Sequence, residues 1–168
     1  QANSSCKSSM YTFDAPVRTD TCLDPEALAV GDIDGDGGLD VAVACGASAG
    51  TSFEVAIHLK AGGQAGGFAP PTLLSTGTSQ PSAVRLADLD GDGQLDVVTA
   101  DQGTSFGSVT ILHGDGLGGL GSATTLFTGG SGSLTRDLVI RDFDLNGRLD
   151  IAAVNNGTDT VSVLLQID

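Results

Sequence analysis

Three short acidic segments carry residue types at a spacing that can hold metal ions. Each has nine residues, with carboxylate or amide side chains at the first, third, fifth and ninth positions and a glycine at the sixth. The segments are residues 32–40, 88–96 and 142–150. Alternating oxygen donors of this kind surround one point in a tight turn, and hard oxygen donors are the ligands that calcium prefers. The spacing therefore predicts three calcium sites.

The expected ligands are the residues at odd positions of each segment. Position seven would supply only its backbone carbonyl, so its side chain can vary without loss of binding. The predicted set is Asp32, Asp34, Asp36, Gly38 and Asp40; Asp88, Asp90, Asp92, Gln94 and Asp96; and Asp142, Asp144, Asn146, Arg148 and Asp150. Leu145 replaces a glycine and Asn146 replaces an aspartate in the third segment. We therefore expect two strong sites and one weaker site.

An EF-hand begins with the same acidic spacing but differs further along. It requires a bidentate Glu at position twelve and helices on both sides. Position twelve here is Val43, Thr99 or Ala153, and each segment runs into β-branched or small apolar residues. These features predict calcium loops between β-strands.

The loops belong to a longer repeat. They begin 56 and then 54 residues apart, a period typical of propeller blades. Apolar residues with period two predict a strand before each loop, with these pairs buried: Leu28 and Val30, Val84 and Leu86, and Leu138 and Ile140. A second strand follows each loop, and a third shows the same alternation at Phe53, Val55, Ile57 and Leu59; at Val109 and Ile111; and at Val161, Val163 and Leu165. A fourth strand is predicted to begin near Gly67 and near Gly119.

With these motifs the chain resembles the FG-GAP or VCBS repeats of integrin-like β-propellers. The resemblance covers residues 10–168 and rests on the three loops, on Gly67 to Pro70 and on Val161 to Leu165. It implies an all-β propeller of four-stranded blades, with the acidic loop between the first two strands of each blade. It also implies that the loop residues named above are the calcium ligands.

The strand count predicts how such blades would assemble. Phe13 and Pro16 have the same offset as Phe68 and Pro71, so residues 12–19 read as an orphan fourth strand, while the last repeat offers three strands. The total equals three blades, and closed propellers have roughly 4 to 8. We expect a homodimer that forms a six-bladed ring by strand exchange of residues 12–19. The alternative is that the chain is a fragment of a longer propeller. On this interpretation residues 1–11 are an N-terminal tail and residues 12–168 a single half-ring domain.

Charge and hydropathy limit the kinds of molecule that the chain is expected to bind and the place where it is expected to act. The formal net charge is −14, which argues against nucleic acid. No apolar window is long enough for a membrane span. The first residue is Gln1, which is compatible with removal of a leader. We expect an extracellular or secreted protein. A periplasmic or cell-surface location is also compatible with these features.

The chain has three cysteines. Cys22 precedes the first strand of its blade and Cys45 ends the second, so antiparallel pairing would bring both to one rim. Cys22 with Cys45 is the preferred disulfide, and Cys6 would be free or paired between chains. The alternative is three reduced thiols.

The residues that usually perform catalysis do not form a recognisable set. His58 and His113 lie at non-equivalent positions, and a surface or hydrogen-bonded role is expected for both. Arg85 and Arg141 are expected to pair with the excess of Asp. The sequence thus favours a non-catalytic calcium-binding module for protein or glycan recognition, of an adhesion type. The alternatives are a lectin with sugar sites between blades, or a scaffold fragment of a larger polysaccharide-active enzyme.

Overall fold

The strands form three antiparallel sheets, each built from consecutive segments of the chain. The structure is a computed structural model, and it describes residues 15–46, 53–62, 67–77, 79–103 and 105–167. The first sheet contains β1 (Pro25–Gly31), β2 (Asp40–Cys45), β3 (Phe53–His58) and β4 (Thr72–Gly77). The second contains β5 (Gln80–Ala87), β6 (Asp96–Gln102), β7 (Phe106–Gly114) and β8 (Leu120–Ser131). The third contains β9 (Thr135–Arg141), β10 (Asp150–Asn155) and β11 (Thr160–Leu164), with a short 3-10 turn at Asn156–Thr158.

This arrangement confirms the all-β prediction and the two four-stranded units. Neighbouring strands in each sheet follow one another in sequence, as in a meander. The described residues contain no α-helix. No helix among them is long and apolar enough to cross a membrane.

The second sheet packs between the other two, so both faces of its first three strands are largely buried, whereas β8 is mostly exposed. One apolar cluster joins it to the first sheet and includes Val55, Ile57, Val84 and Val97. A second cluster joins it to the third sheet and includes Val98, Val109, Leu138, Ile151 and Ala153. Burial of apolar side chains at about 25 cal/mol per Å² makes these two interfaces the main source of stability.

The prediction that all the first-strand pairs are buried is wrong for the first sheet. Val84 and Leu138 are buried, but Leu28 is 63% exposed and Val30 is 53% exposed. The physical reason is position in the stack. Val84 faces the first sheet and Leu138 faces the second, whereas Leu28 has no preceding sheet among the described residues.

The third sheet is exposed on its opposite face for the same reason. Val161 and Val163 lie on β11, where they pair with Val154 and Ala152 of β10. The larger side chains of this outer face are all partly open to solvent: Val139, Val154, Val161, Val163 and Leu165. The stack therefore ends in an apolar sheet face on each side.

The fourth strands start later than the sequence predicted in the first sheet. Phe68 forms only an isolated bridge with Lys60, and β4 begins at Thr72. In the third sheet β11 is an edge strand without a fourth neighbour among the described residues. Of the predicted exchanged strand, residues 15–19 are described and form no strand, while residues 12–14 and the tail 1–11 lie outside the described part.

The segment that leads into β1 is tied to the outer face of the first sheet. Cys22 and Cys45 form a disulfide, which confirms the preferred pairing; Cys6 lies outside the described residues. The Oγ1 atom of Thr21 lies 2.8 Å from Nε2 of His58. Cys22 packs with Val43 and Ala56 on this face. The segment before β1 thus covers part of this face and leaves Leu28 and Val30 exposed.

Candidate metal sites

Each acidic loop connects the first and second strands of its sheet by a turn that needs left-handed backbone. The fourth and sixth positions of the first two loops are glycines with positive φ: Gly35, Gly37, Gly91 and Gly93. Glycine adopts this region without steric cost. In the third loop Gly147 is again at the sixth position, but Leu145 takes φ 63° at the fourth. The predicted role of the sixth-position glycine is confirmed, and the fourth position has the same requirement.

Backbone N–H groups orient the carboxylates within each loop. In the second loop the N–H groups of Gly91 and Gly93 donate to Asp88 at 2.8 and 2.9 Å. Oδ1 of Asp90 accepts from the N–H of Asp92 at 3.2 Å, and Oδ1 of Asp92 accepts from Gln94 at 2.8 Å. The first loop repeats three of these four bonds, to Asp32, Asp34 and Asp36. The loops are therefore ordered by their own backbone before any ion is considered.

The ninth-position aspartates are buried and join the loop to the third strand. One oxygen of Asp96 accepts from the N–H of Leu89 at 3.0 Å, and the other accepts from Gly114 at 3.0 Å. Asp40 makes the matching bonds with Ile33 and Lys60, and Asp150 makes them with Phe143 and Gln166. Each of these carboxylates therefore links its loop and the start of the second strand to the chain at or just after the end of the third strand.

The carboxylates at positions one, three and five of the first two loops are close enough to share a cation. Asp32, Asp34 and Asp36 offer oxygen atoms within 4.8 Å of one another, as do Asp88, Asp90 and Asp92. Oδ1 of Asp32 is buried and has no hydrogen-bond partner. An unsatisfied buried carboxylate oxygen inside a ring of carboxylates fits a hard cation, because coordination would supply the missing partner.

Charge crowding is visible in the pKa of Asp34. The hydrogen bond from the Asp36 N–H acts to lower this pKa, but desolvation and the negative charges of Asp40, Asp36 and Asp32 together raise it above its usual value. A divalent cation would relieve this repulsion.

The third loop has a different donor set. Asp142, Asp144 and Asp150 lie within the same 4.8 Å limit. Asn146 at position five donates through Nδ2 to Asp144 at 3.3 Å and to the carbonyl of Gln166 at 2.9 Å. Hydrogen bonds from the N–H groups of Gln166 and then Phe143 lower the pKa of Asp150. The loop therefore keeps the geometry with one carboxylate fewer.

Sequence reasoning missed His113 as a neighbour of the second loop. Its Nδ1 lies 3.5 Å from Oδ2 of Asp90 and 3.5 Å from Oδ1 of Asp96. The only available signal was that His113 immediately precedes Gly114, whose backbone binds the ninth-position aspartate. Structurally equivalent positions carry Leu59 and Leu165, since Lys60 and Gln166 make the same backbone bond.

The other charged residues considered from sequence have structural partners. Arg85 pairs with Asp137 at 2.5 Å, between the first strands of the second and third sheets. Arg141 contacts the carbonyl of Ile140 at 3.5 Å. His58 is buried against Thr21, and burial lowers its pKa. These contacts agree with the structural roles predicted for Arg85 and His58.

The region that contains the three acidic loops and the strands around them matches a known family of repeats. The family model for the FG-GAP-like repeat matches residues 32–99 and residues 91–153. Together the two matches run from the first acidic loop to the strand after the third. No curated protein matches the chain.

Proposed function

Because the chain belongs to the FG-GAP-like repeat family, we propose that it is a non-catalytic, calcium-braced β-propeller module that recognises proteins outside the cell. The match covers most of the chain. The observation that carries the proposal is the ring of Asp32, Asp34 and Asp36 with a buried, unpartnered oxygen.

Calcium would be held at the end of the first strand of each blade. Asp32, Asp34 and Asp36 would hold it in the first loop, and Asp88, Asp90 and Asp92 in the second. The backbone carbonyls of Gly38, Gln94 and Arg148 and the ninth-position aspartates are the remaining proposed ligands. When bound, the ion supplies positive charge that offsets the repulsion among these carboxylates. It would also stabilise the folded state by mass action.

The ninth-position aspartates transmit this bracing to the rest of each blade. Asp96 joins the loop to the end of β7 through Gly114. A cation that orders the loop would therefore also hold the third strand in register. We infer that calcium acts as scaffold and that recognition uses the surfaces between and beside the loops.

Two observations support a role outside the cell and in an assembly. Cys22 and Cys45 form a disulfide, which is typical of oxidising compartments. The stack also ends in two exposed apolar faces, marked by Leu28 on one side and Val161 on the other. In the repeat these positions pack against the next blade, so a homodimer that forms a six-bladed ring is the proposed state.

The structural part of the proposal is tested by thermal unfolding with calcium and with a chelator. Removal of calcium should lower the melting temperature, because the loops lose the cation that offsets their charge. An unchanged melting temperature, with loss of bound calcium confirmed by elemental analysis, would contradict the proposal. A glycan array in calcium addresses the recognition part: saturable binding to one glycan class would favour the lectin alternative over protein recognition.

A further inference from the structure

A cavity of about 400 Å³ lies between the second and third sheets, beside the acidic loops. Ile111, His113 and Leu126 form its wall on the second sheet. Leu164 and Gln166 form its wall on the third sheet, and Oε1 of Gln166 is buried without a hydrogen-bond partner. Its lining is mainly aliphatic and also includes the polar residues Asp90, His113, Thr124 and Gln166.

The repeat identifies what fills the corresponding place in the other two sheets. The backbone N–H groups of Lys60, Gly114 and Gln166 each donate to the ninth-position aspartate of their own loop. These three residues are therefore equivalent. Lys60 pairs with Phe68, and Gly114 pairs with Leu120. Gln166 has no strand partner among the described residues.

Phe68 and Leu120 show how a side chain packs at this position of the repeat. The Phe68 ring lies 6.3 Å from the His58 ring, edge to face, and 5.3 Å from Nζ of Lys60. Leu120 packs against the apolar cluster between the first and second sheets. The cavity beside Leu164 and Gln166 is thus the position that the first apolar residue of a fourth strand would take, and the third sheet has three strands among the described residues. A void of about 150 Å³ can hold a benzene ring, so this cavity has room for a phenyl group.

The chain contains a segment that matches this position. Phe13 lies twelve residues before the start of β1, and Phe68 lies twelve residues before the start of β5. The residues directly before the first strands also make matching bonds. The N–H of Gly46 donates to the carbonyl of Asp24 at 2.8 Å, and the N–H of Asn156 donates to the carbonyl of Leu134 at 2.9 Å. Leu134 lies three residues after the end of β8, a fourth strand. The segment before β1 therefore occupies the chain position of a fourth strand.

A second copy of the chain is the occupant that these contacts favour. The disulfide at Cys22 and the contact between Thr21 and His58 hold the segment before β1 on the outer face of the first sheet. The second sheet stands between this face and the cavity. We propose that Phe13 of one copy inserts into the cavity of another, so that residues 12–19 pair with β11 and complete the third blade. This inference rests on the proposed function, and it identifies the contact that would close the ring.

The inference is tested with two variants that break the same contact from opposite sides. Phe13→Ala removes the inserted ring, and Thr124→Trp fills the cavity from an exposed position on β8. Sedimentation equilibrium in calcium should show a dimer for the parent chain. Each variant should raise the dimer dissociation constant roughly 100-fold or more, as expected for loss of a buried aromatic anchor. An equimolar mixture of the two should dimerise better than either alone, because one intact contact is restored.

Phe68→Ala is the matched control, since it removes the equivalent ring within one chain. It should lower the melting temperature and leave the dimer dissociation constant unchanged. A monomeric parent chain, or a dimer that withstands both Phe13→Ala and Thr124→Trp, would overturn the inference. Calcium-dependent melting of the same samples separates the two proposals: if it persists in a monomeric parent chain, only the insertion of Phe13 fails.

Discussion

The second and third sheets are built from the same repeat, yet they differ in what their apolar residues contact. The second sheet is covered on both faces, whereas the third is covered on one. Val109 is fully buried on β7, while Val161, its equivalent on β11, is 69% exposed. The repeat therefore places an apolar side chain on each face of a sheet, and the presence of a neighbouring sheet decides whether that side chain is buried.

The two sheets also differ at one buried polar position. Asp101 and Asn155 each lie thirteen residues after the start of their loop, and both are fully buried. Asn155 accepts hydrogen bonds from Thr128 and Thr135 and donates to Ser162 at 2.8 Å. Oδ2 of Asp101 accepts from Thr110 at 2.6 Å. The buried amide is neutral, whereas the buried carboxylate carries a negative charge when it is ionised.

Asp101→Asn places the residue of the third sheet in the second and should give the largest change. Burial raises the pKa of Asp101 to about 6, although hydrogen bonds from the hydroxyl groups of Thr110, Thr99 and Ser108 limit the rise. A folded-state pKa above the unfolded value means that the ionised carboxylate costs stability, a cost that is absent below about pH 4 and complete above about pH 6. The variant should gain up to about 3 kcal/mol at pH 7.5. Urea unfolding across this pH range, at saturating calcium, measures the gain. An equal change at pH 3.5 would contradict the charge explanation.

Asp90→Ala and Asp144→Ala compare the second and third acidic loops. A ligand at 100 times its dissociation constant adds about 2.7 kcal/mol, so Asp90→Ala should cost close to this amount in calcium. Asp144→Ala should cost less than about 1 kcal/mol, because its loop already lacks one carboxylate. Urea unfolding at fixed free calcium measures both costs. In chelator the two variants should become alike, and a larger cost for Asp144→Ala in calcium would reverse the predicted order of the sites.

Val109→Ala and Val161→Ala test burial at one position of the repeat. In a monomeric background such as Phe13→Ala, Val109→Ala should cost about 2 kcal/mol through lost packing. Val161→Ala should cost less than about 0.5 kcal/mol there, as at most exposed positions. Equal costs in the monomer, measured by urea unfolding, would show that the outer face of the third sheet is already covered within one chain.

Leu145→Gly should give the smallest effect and make the third loop more like the second. Leu145 is 87% exposed and has positive φ, where Gly91 stands in the second loop. Relief of this backbone strain should stabilise the protein by about 1 kcal/mol. It should also raise the calcium affinity of the loop, which titration calorimetry can follow. Gly91→Leu is the reciprocal control, and a stabilising effect from it would contradict the conformational argument.

Much of this architecture could be predicted because the sequence contains the same loop and strand pattern three times. Loop spacing, period-two alternation and the placing of Cys22 and Cys45 follow from local rules of turns and strands. The exposure of Leu28 could not be predicted, since it depends on which sheet lies opposite. The approach of His113 to Asp90 also escaped sequence reasoning, because it depends on the register between a loop and the end of β7. The local rules therefore predicted strands and loops better than the contacts between them.

Calcium binding by the acidic loops is the central claim, and isothermal titration calorimetry of the calcium-free chain tests it most directly. The donor sets predict two strong sites and one weaker site per chain, with Asp90→Ala removing a strong site and Asp144→Ala removing the weaker one. No binding at millimolar calcium, or the same three sites in both variants, would contradict the account.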